Sequence, residues 1–114
     1  MSFRILKINE LLKSNLGEIF RRDGNFKDAL VTISQVETTN DLREAKIFVS
    51  IFPSKMSEKL MENLNRRKGF FQKELHGKLY MKPMPKIFFV SDRSQEKTEE
   101  IEEVIRREKK EEGK

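Results

Sequence analysis

The chain has 114 residues, of which 36% are hydrophobic and 38% are charged, so it is long enough for one domain with a small core. The net charge of +5 favours a polyanionic partner. The absence of cysteine excludes disulfides, thiolate catalysis and iron–sulfur clusters, and the single histidine, His76, excludes a two-histidine metal site. No apolar run is long enough to span a membrane, and charges among the first seven residues argue against a secretory signal. We therefore expect a cytoplasmic protein.

The excess positive charge is concentrated in the middle third of the chain. Residues 53–86 carry nine basic and three acidic side chains, whereas residues 1–52 carry eight and seven. An evenly solvated surface does not need this asymmetry, but a surface that faces phosphate groups does. The segment 53–86 is therefore the first candidate for contact with a nucleic acid.

The first half of the chain predicts a helix and a hairpin. Residues 3–22 form an amphipathic pattern with apolar residues at steps of three and four, the spacing of one helix face. Residues 29–38 are rich in β-branched types, and residues 45–52 alternate in polarity, so both predict strands. Because a short turn around Asp41 joins them, the two strands are expected to pair in antiparallel fashion.

Two helices, or one sharply kinked helix, are predicted after Pro53. Ser54 or Ser57 is expected to N-cap the first of them. Apolar residues recur at four-residue steps on both sides of a basic run: Met56, Leu60 and Leu64 before it, then Phe71, Leu75 and Leu79. Since the two stripes are out of register and Gly69 falls between them, we expect the hinge at Gly69.

The remaining residues predict one more strand and one more helix. Residues 82–85, Lys-Pro-Met-Pro, exclude helix and lead into a strand at 86–92, which runs parallel to the second strand if the two are neighbours. Ser94 is expected to cap a last helix, and the charged tail 106–114 is expected to be disordered. The order α-β-β-α-kink-α-β-α predicts an α+β domain with its helices on one face of a three-stranded sheet.

The strand–turn–strand segment carries a specific motif. Its residues are Val31-Thr32-Ile33-Ser34, Val36-Glu37, Thr39, Asp41-Leu42, Ala45-Lys46-Ile47 and Val49-Ser50. Three further motifs agree in order and spacing: Leu64-x-x-x-x-Gly69-Phe70-Phe71, Pro85-x-Ile87-x-Phe89 and Asp92-x-Ser94. Together these residues resemble the ribosome-binding factor A family of bacterial small-subunit assembly factors.

The resemblance implies a fold and a function. The fold is a single KH domain of the second type over residues 1–105, with an added C-terminal helix. The implied function is to bind the free small (30S) ribosomal subunit and to support maturation of the 5′ end of 16S rRNA. The expected partners of this monomer are the 30S subunit, 16S rRNA and its precursor. Since the family has no catalytic residues to carry over, we expect no enzyme, no cofactor, no metal and no membrane.

The chain departs from the family pattern near the kink. KH domains usually grip single-stranded RNA with a Gly-x-x-Gly loop, and no two glycines here are three residues apart. Arg67-Lys68-Gly69 stands where the family has Ala-x-Gly, so either the kink opens wider or the Arg67 side chain points outward. Gln72 stands where many members carry an arginine.

The basic residues around the kink are the predicted RNA contacts, because cationic groups at a helix N-terminus favour phosphate. They are Arg66, Arg67, Lys68, Lys73, Lys78, Lys82 and Lys86. Reversal of the three consecutive cations at 66–68 to Glu is expected to weaken binding without lowering the melting temperature. Gly69 is expected to supply the backbone freedom that the kink requires. The other interpretation of the basic run is a solvated helix face.

The sequence leaves two other functions open, a transcript regulator and a protein adaptor. A KH-type regulator would bind short single-stranded transcripts, and a protein adaptor would keep its partner at high salt. Phe48 and Phe52 are either a stacking platform on the open sheet face or structural residues that are partly covered. Asp41 and Asp92 are expected to bond backbone N–H groups rather than to act as acid and base, and His76 is expected to be solvated.

Overall fold

The computed structural model describes residues 3–23, 26 and 28–92. The elements in chain order are α1 (Phe3–Arg22), β1 (Leu30–Thr38), β2 (Glu44–Phe52), α2 (Ser57–Arg66), α3 (Lys68–Lys78) and β3 (Lys86–Ser91). This order confirms the predicted succession α-β-β-α-kink-α-β. The helix predicted after Ser94 and the tail 106–114 lie outside the described residues.

The three strands form one sheet in the order β1-β2-β3. β1 and β2 are antiparallel, with Val36 opposite Ile47, and β3 runs parallel to β2, with Ile87 beside Ala45. The parallel pairing confirms the prediction. It is possible because α2 and α3 carry the chain back to the end of the sheet where β2 began.

The turn of the hairpin depends on Asp41. Its carboxylate accepts hydrogen bonds from the Thr39 hydroxyl at 2.6 Å and from the backbone N–H of Arg43 at 3.1 Å. These two bonds hold the pKa of Asp41 below its ordinary value. The predicted capping role of Asp41 is confirmed.

A β-bulge in β1 keeps its apolar residues on the helix side of the sheet. Ile33 pairs with Val49 and Gln35 pairs with Phe48, so Ser34 is the extra residue between two pairs. Ile33 and Val36 are both buried although they are three positions apart. Strict alternation would turn one of them to solvent, and the bulge removes that conflict.

The core lies between the helices and one face of the sheet. Three aromatic rings from different elements meet there. The ring centroid of Phe71 of α3 lies 5.3 Å from that of Phe20 of α1 and 5.5 Å from that of Phe89 of β3, and both pairs are edge-to-face. The other buried members of the core are Ile8, Leu12, Leu16, Ile19, Ile33, Val36, Ala45, Ile47, Val49, Ile51, Leu60, Leu64, Leu75 and Ile87. The helices therefore cover a single face, as predicted.

The start of α2 differs from the prediction. A 3-10 turn at Ser54–Met56 follows Pro53 and leads directly into the helix. Met56 occupies the N-cap position without a side-chain cap, and its N–H bonds to the Pro53 carbonyl at 3.1 Å. Ser57 is the first helical residue and is buried. The expected N-cap by Ser54 or Ser57 is wrong, because the turn moves the helix start past the first serine and places the second inside the helix.

The break between α2 and α3 lies at Arg67, two residues before the predicted hinge. Arg67 has φ −96° and ψ 14°, while Arg66 ends α2 and Lys68 begins α3. Gly69 sits in the first turn of α3, it has no positive φ, and a Cβ added there meets no atom within 4 Å. The assignment of the hinge to Gly69 is therefore wrong. A φ of this value is open to any L-residue, so the break does not depend on a glycine.

We predict that Gly69→Ala stabilises the protein. The change raises helix propensity and removes backbone freedom from the unfolded chain, so the free energy of unfolding should rise by about 0.5 to 1 kcal/mol. Urea unfolding followed by circular dichroism measures this value. Gly77→Ala, also in α3 and also in open space, is the matched control and should behave alike. A loss of stability in Gly69→Ala alone would show that the glycine conformation is required.

Candidate nucleic-acid interface

The Arg67 side chain turns into the protein. Its Nη1 donates a hydrogen bond to Oδ2 of Asp23 at 2.6 Å. Its guanidinium carbon lies 5.0 Å from the ring centroid of Phe70 and 5.1 Å from that of Phe71. The Arg67 side chain is 23% exposed and that of Asp23 only 7%. Of the two alternatives for Arg67, the outward direction is therefore wrong, since a carboxylate 44 residues away in the chain draws the guanidinium inward.

Lys68 lies at the β3 edge of the sheet. Its ammonium nitrogen is 4.5 Å from the ring centroid of Phe88. Since Ile87 and Phe89 are buried on the helix side, alternation places Phe88 on the open side, and the Lys68 side chain passes along the edge to reach it. A cation–π contact holds the ammonium group in place without neutralising it. Lys68 therefore keeps a charge that can bind a phosphate.

Four of the predicted contacts are exposed: Arg66, Lys73, Lys82 and Lys86. Within residues 3–23, 26 and 28–92, none of these four forms an ion pair. Arg66 is the last residue of α2, and Lys73 lies one helical turn after Phe70, whose side chain is 45% exposed. An exposed ring beside a cation can stack on a base while the cation binds a phosphate.

Lys78 is held by a carboxylate. Its ammonium nitrogen lies 3.2 Å from Oε1 of Glu18, which ties the end of α3 to α1. The hydrogen bond from Lys78, and then its positive charge, lower the pKa of Glu18. Because Glu18 matches its charge, Lys78 is a weaker candidate for phosphate contact than the four cations without an ion pair.

Gln72 has a structural role that the sequence did not reveal. Its Nε2 donates to the Pro85 carbonyl at 3.0 Å, and its Oε1 accepts from the Ile87 N–H at 2.9 Å. The side chain therefore binds the outer edge of β3 as a neighbouring strand would. An arginine has donors only and could not accept from Ile87, so the departure from the family at this position has a physical consequence. The only sequence signal is that an amide offers both a donor and an acceptor.

The remaining candidates, Phe48, Phe52 and His76, are each at least partly exposed. Phe48 is half-buried on the open side of the sheet and Phe52 is 47% exposed, so base stacking on them stays a prediction. His76 is exposed on α3. Across the described part of the chain, no three acidic or histidine side chains come together as metal ligands, and no helix there is long and apolar enough to cross a membrane.

The seven predicted contacts therefore fall into distinct groups. Arg66, Lys68, Phe70 and Lys73 lie at the α2–α3 junction, and we call these four residues the junction surface. Two further cations, Lys82 and Lys86, lie on the approach to β3 and at its start, while Arg67 and Lys78 are engaged by carboxylates. The exposed Phe70 was not predicted as part of the surface, and its place close to the basic run is the only signal for it in the sequence.

Comparisons with known proteins agree on one family. A family model described as ribosome-binding factor A matches residues 4–105. A ribosome-binding factor A from Gloeobacter violaceus is 38% identical over 108 residues, which cover 90% of this chain and 83% of that protein. The crystal structure of ribosome-binding factor A from Thermus thermophilus superposes with a TM-score of 0.67 at 21% identity, covering 79% of this chain and 98% of that one.

A second structural match gives a functional context for a relative. It is a homology model of the Thermus thermophilus ribosome-binding factor A, fitted into the cryo-electron-microscopy map of its complex with the 30S subunit. Its TM-score is 0.57 at 16% identity, and the match covers 82% of this chain and 97% of that one. These superpositions confirm the KH-like α+β fold.

We predict that Arg67→Ala destabilises the protein far more than Arg66→Ala. Removal of Arg67 leaves the buried carboxylate of Asp23 without its guanidinium, which costs about 2 to 3 kcal/mol. Arg66 is exposed, so its removal should stay within about 0.5 kcal/mol. Urea unfolding of both variants provides the measurement. Equal effects would show that the Asp23 contact contributes nothing specific.

We predict that Lys78→Met raises the pKa of Glu18 toward 4.5, the ordinary value. In the native protein that pKa is lowered, so the pair stabilises the fold above pH 4.5 and loses this contribution as the pH falls through the folded-state pKa. A carbon-detected NMR titration of the Glu18 carboxyl group follows the shift. Lys73→Met is the control and should leave the titration of Glu18 unchanged.

Proposed function

Because the chain belongs to the ribosome-binding factor A family, we propose that it binds the small (30S) ribosomal subunit and that the junction surface contacts 16S rRNA. The family match over residues 4–105 carries the first part of this proposal, since it spans nearly all of every described element. The relative that was fitted into the map of a 30S complex gives a precedent for the same partner.

The charges of the junction surface support the second part. Arg66 and Lys73 have no carboxylate partner among the described residues, and Lys68 is held over a ring rather than by a carboxylate. Cations that are not already matched release counterions from RNA when they bind its phosphates, and this release drives association at low salt. Phe70, exposed one helical turn before Lys73, offers a face on which a base can stack.

The finer role follows from the family. We infer that binding supports maturation of the 5′ end of 16S rRNA, that the precursor is also bound, and that the protein works in the cytoplasm as a monomer. The proposed action is binding without a catalytic step. The absence of a Gly-x-x-Gly loop supports a folded subunit as the target rather than short free strands, because that loop is the usual grip on single-stranded RNA.

Co-sedimentation with purified small subunits over a salt series tests the proposal. The native chain should pellet with the subunits in a saturable manner. The logarithm of its binding constant should fall linearly with the logarithm of the salt concentration. Arg66→Glu/Lys73→Glu should bind more weakly, with a slope that is shallower by about two, one unit for each lost phosphate contact. Arg67 is left intact, since its reversal would place a second carboxylate beside Asp23. The sequence-based expectation that reversal of residues 66–68 spares the melting temperature therefore conflicts with the Asp23 contact.

Arg4→Glu/Lys7→Glu is the matched control. It changes the net charge equally, and these residues lie near the start of α1, about 24 Å or more along the helix from Asp23. An equal loss of affinity in both variants would indicate a general effect of net charge and would contradict binding through the junction surface. Absence of pelleting by the folded native chain at any salt would contradict the family role itself, and tight binding of short single strands would favour a transcript regulator.

A further inference from the structure

A small pocket lies between the end of α1 and the first turns of α3. Its volume is about 330 Å³, at the lower end of the range of about 300 to 1,000 Å³ that is usual for ligand sites. The residues that line it are Ile19, Arg22, Asp23, Arg67, Phe70 and Glu74. We call it the junction pocket. Because Phe70 belongs both to this pocket and to the junction surface, an RNA strand bound at that surface can place a base in the pocket.

Two flat groups form part of the wall of the junction pocket. The Phe70 side chain is 45% exposed, and the Arg67 guanidinium carbon lies 5.0 Å from its ring centroid. Ile19, which is buried, adds an apolar surface from α1. Unpaired RNA bases stack on aromatic rings and on guanidinium planes. The wall of the pocket therefore suits a planar ring system.

The charges around the junction pocket balance. Arg22 and Arg67 supply two guanidinium groups, and Asp23 and Glu74 supply two carboxylates. Since these charges cancel, the pocket has no net attraction for a phosphate or a metal cation. It offers hydrogen-bond donors and acceptors together, which suits a neutral ligand that carries both kinds of group, such as a nucleobase.

Glu74 is the carboxylate that can accept hydrogen bonds from a ligand. Asp23 is already bound to Arg67 at 2.6 Å. Glu74 is partly buried, and the lysine one helical turn later, Lys78, is bound to Glu18 at 3.2 Å. Within the ranges that the structure describes, Glu74 forms no ion pair. Its two oxygens are therefore open to a partner in the pocket.

Guanine is the base whose hydrogen-bonding groups match this pocket. A carboxylate binds best to two adjacent N–H donors, and of the four RNA bases only guanine presents such a pair, at N1 and N2. Its O6 and N7 atoms accept hydrogen bonds from arginine, and Arg22 is exposed on the α1 side of the pocket. We propose that the junction pocket binds one unpaired guanine of the RNA that the junction surface contacts, a proposal that rests on the proposed function. Glu74 accepts from N1 and N2, and Arg22 donates to O6 or N7.

Kethoxal modification of the complex with small subunits tests this proposal, because kethoxal reacts with N1 and N2 of unpaired guanine. At saturating concentration the native chain should protect at least one guanine. Glu74→Gln should still pellet, but it should bind roughly tenfold more weakly and leave that guanine reactive, since an amide has only one acceptor oxygen. Glu62→Gln, exposed on α2, changes the net charge equally and should protect the guanine as the native chain does.

A second pair of variants tests the α1 side of the pocket. Arg21 and Arg22 are both exposed in the last turn of α1, but of the two only Arg22 lines the junction pocket. Arg22→Ala should therefore weaken protection of the same guanine, and Arg21→Ala should not. Equal protection by all four variants and the native chain would overturn the proposal while leaving the contact with the subunit intact.

An NMR titration with free nucleotides separates an RNA base from a free ligand. Guanosine monophosphate at millimolar concentration should shift the amide signals of Arg22 and Glu74 and spare that of Lys59 on α2, and adenosine monophosphate should shift none of them. No shift with the guanine nucleotide, or equal shifts with both, would overturn the proposal. Guanine-specific shifts without Glu74-dependent protection on the subunit would assign the pocket to a free nucleotide and would overturn it too. The pelleting of the native chain reports separately on the proposed function.

Discussion

The one-residue break at Arg67 is the constraint on which the arrangement of the helices depends. α2 and α3 have no loop between them, so the backbone of a single residue sets their relative direction. The Arg67 guanidinium fixes that residue in place through Asp23 at the end of α1 and through the rings of Phe70 and Phe71. As a result, Phe71 faces the core and completes the aromatic contact between α1, α3 and β3.

The same interaction divides the positive charge of the middle segment between structure and surface. Arg66, Arg67 and Lys68 are consecutive in the sequence, yet each has a different environment: solvent, a buried carboxylate and an aromatic ring. A backbone that turns at the middle residue sends the three side chains in different directions. The charge count of residues 53–86 therefore overstates the number of cations available to a phosphate. The geometry reduces the interface to fewer cations, with an exposed phenylalanine one helical turn before Lys73.

The features that depend on local pattern were predictable, and those that depend on distant partners were not. The stripe of α1 and the alternation of β2 each encode which face is buried, so both elements were predicted to within a residue or two of their bounds. The direction of Arg67 and the role of Gln72 depend on groups 44 and 13 to 15 residues away, which no window of periodicity contains. The hinge was assigned to Gly69 because glycine is the most permissive residue, whereas an ordinary φ at Arg67 suffices.

The bulge at Ser34 has a consequence for how this chain varies among its relatives. One additional residue in β1 lets both halves of the strand turn their apolar side chains to the helices. Deletion of Ser34 would close the bulge and restore strict alternation, but Ile33 and Val36 would then be two positions apart and would still face the helices. Substitution of Ser34 also changes little, since its hydroxyl contributes one exposed hydrogen bond to the Phe48 carbonyl. Both the presence and the identity of a residue at this position are therefore expected to vary among relatives without a change in the core.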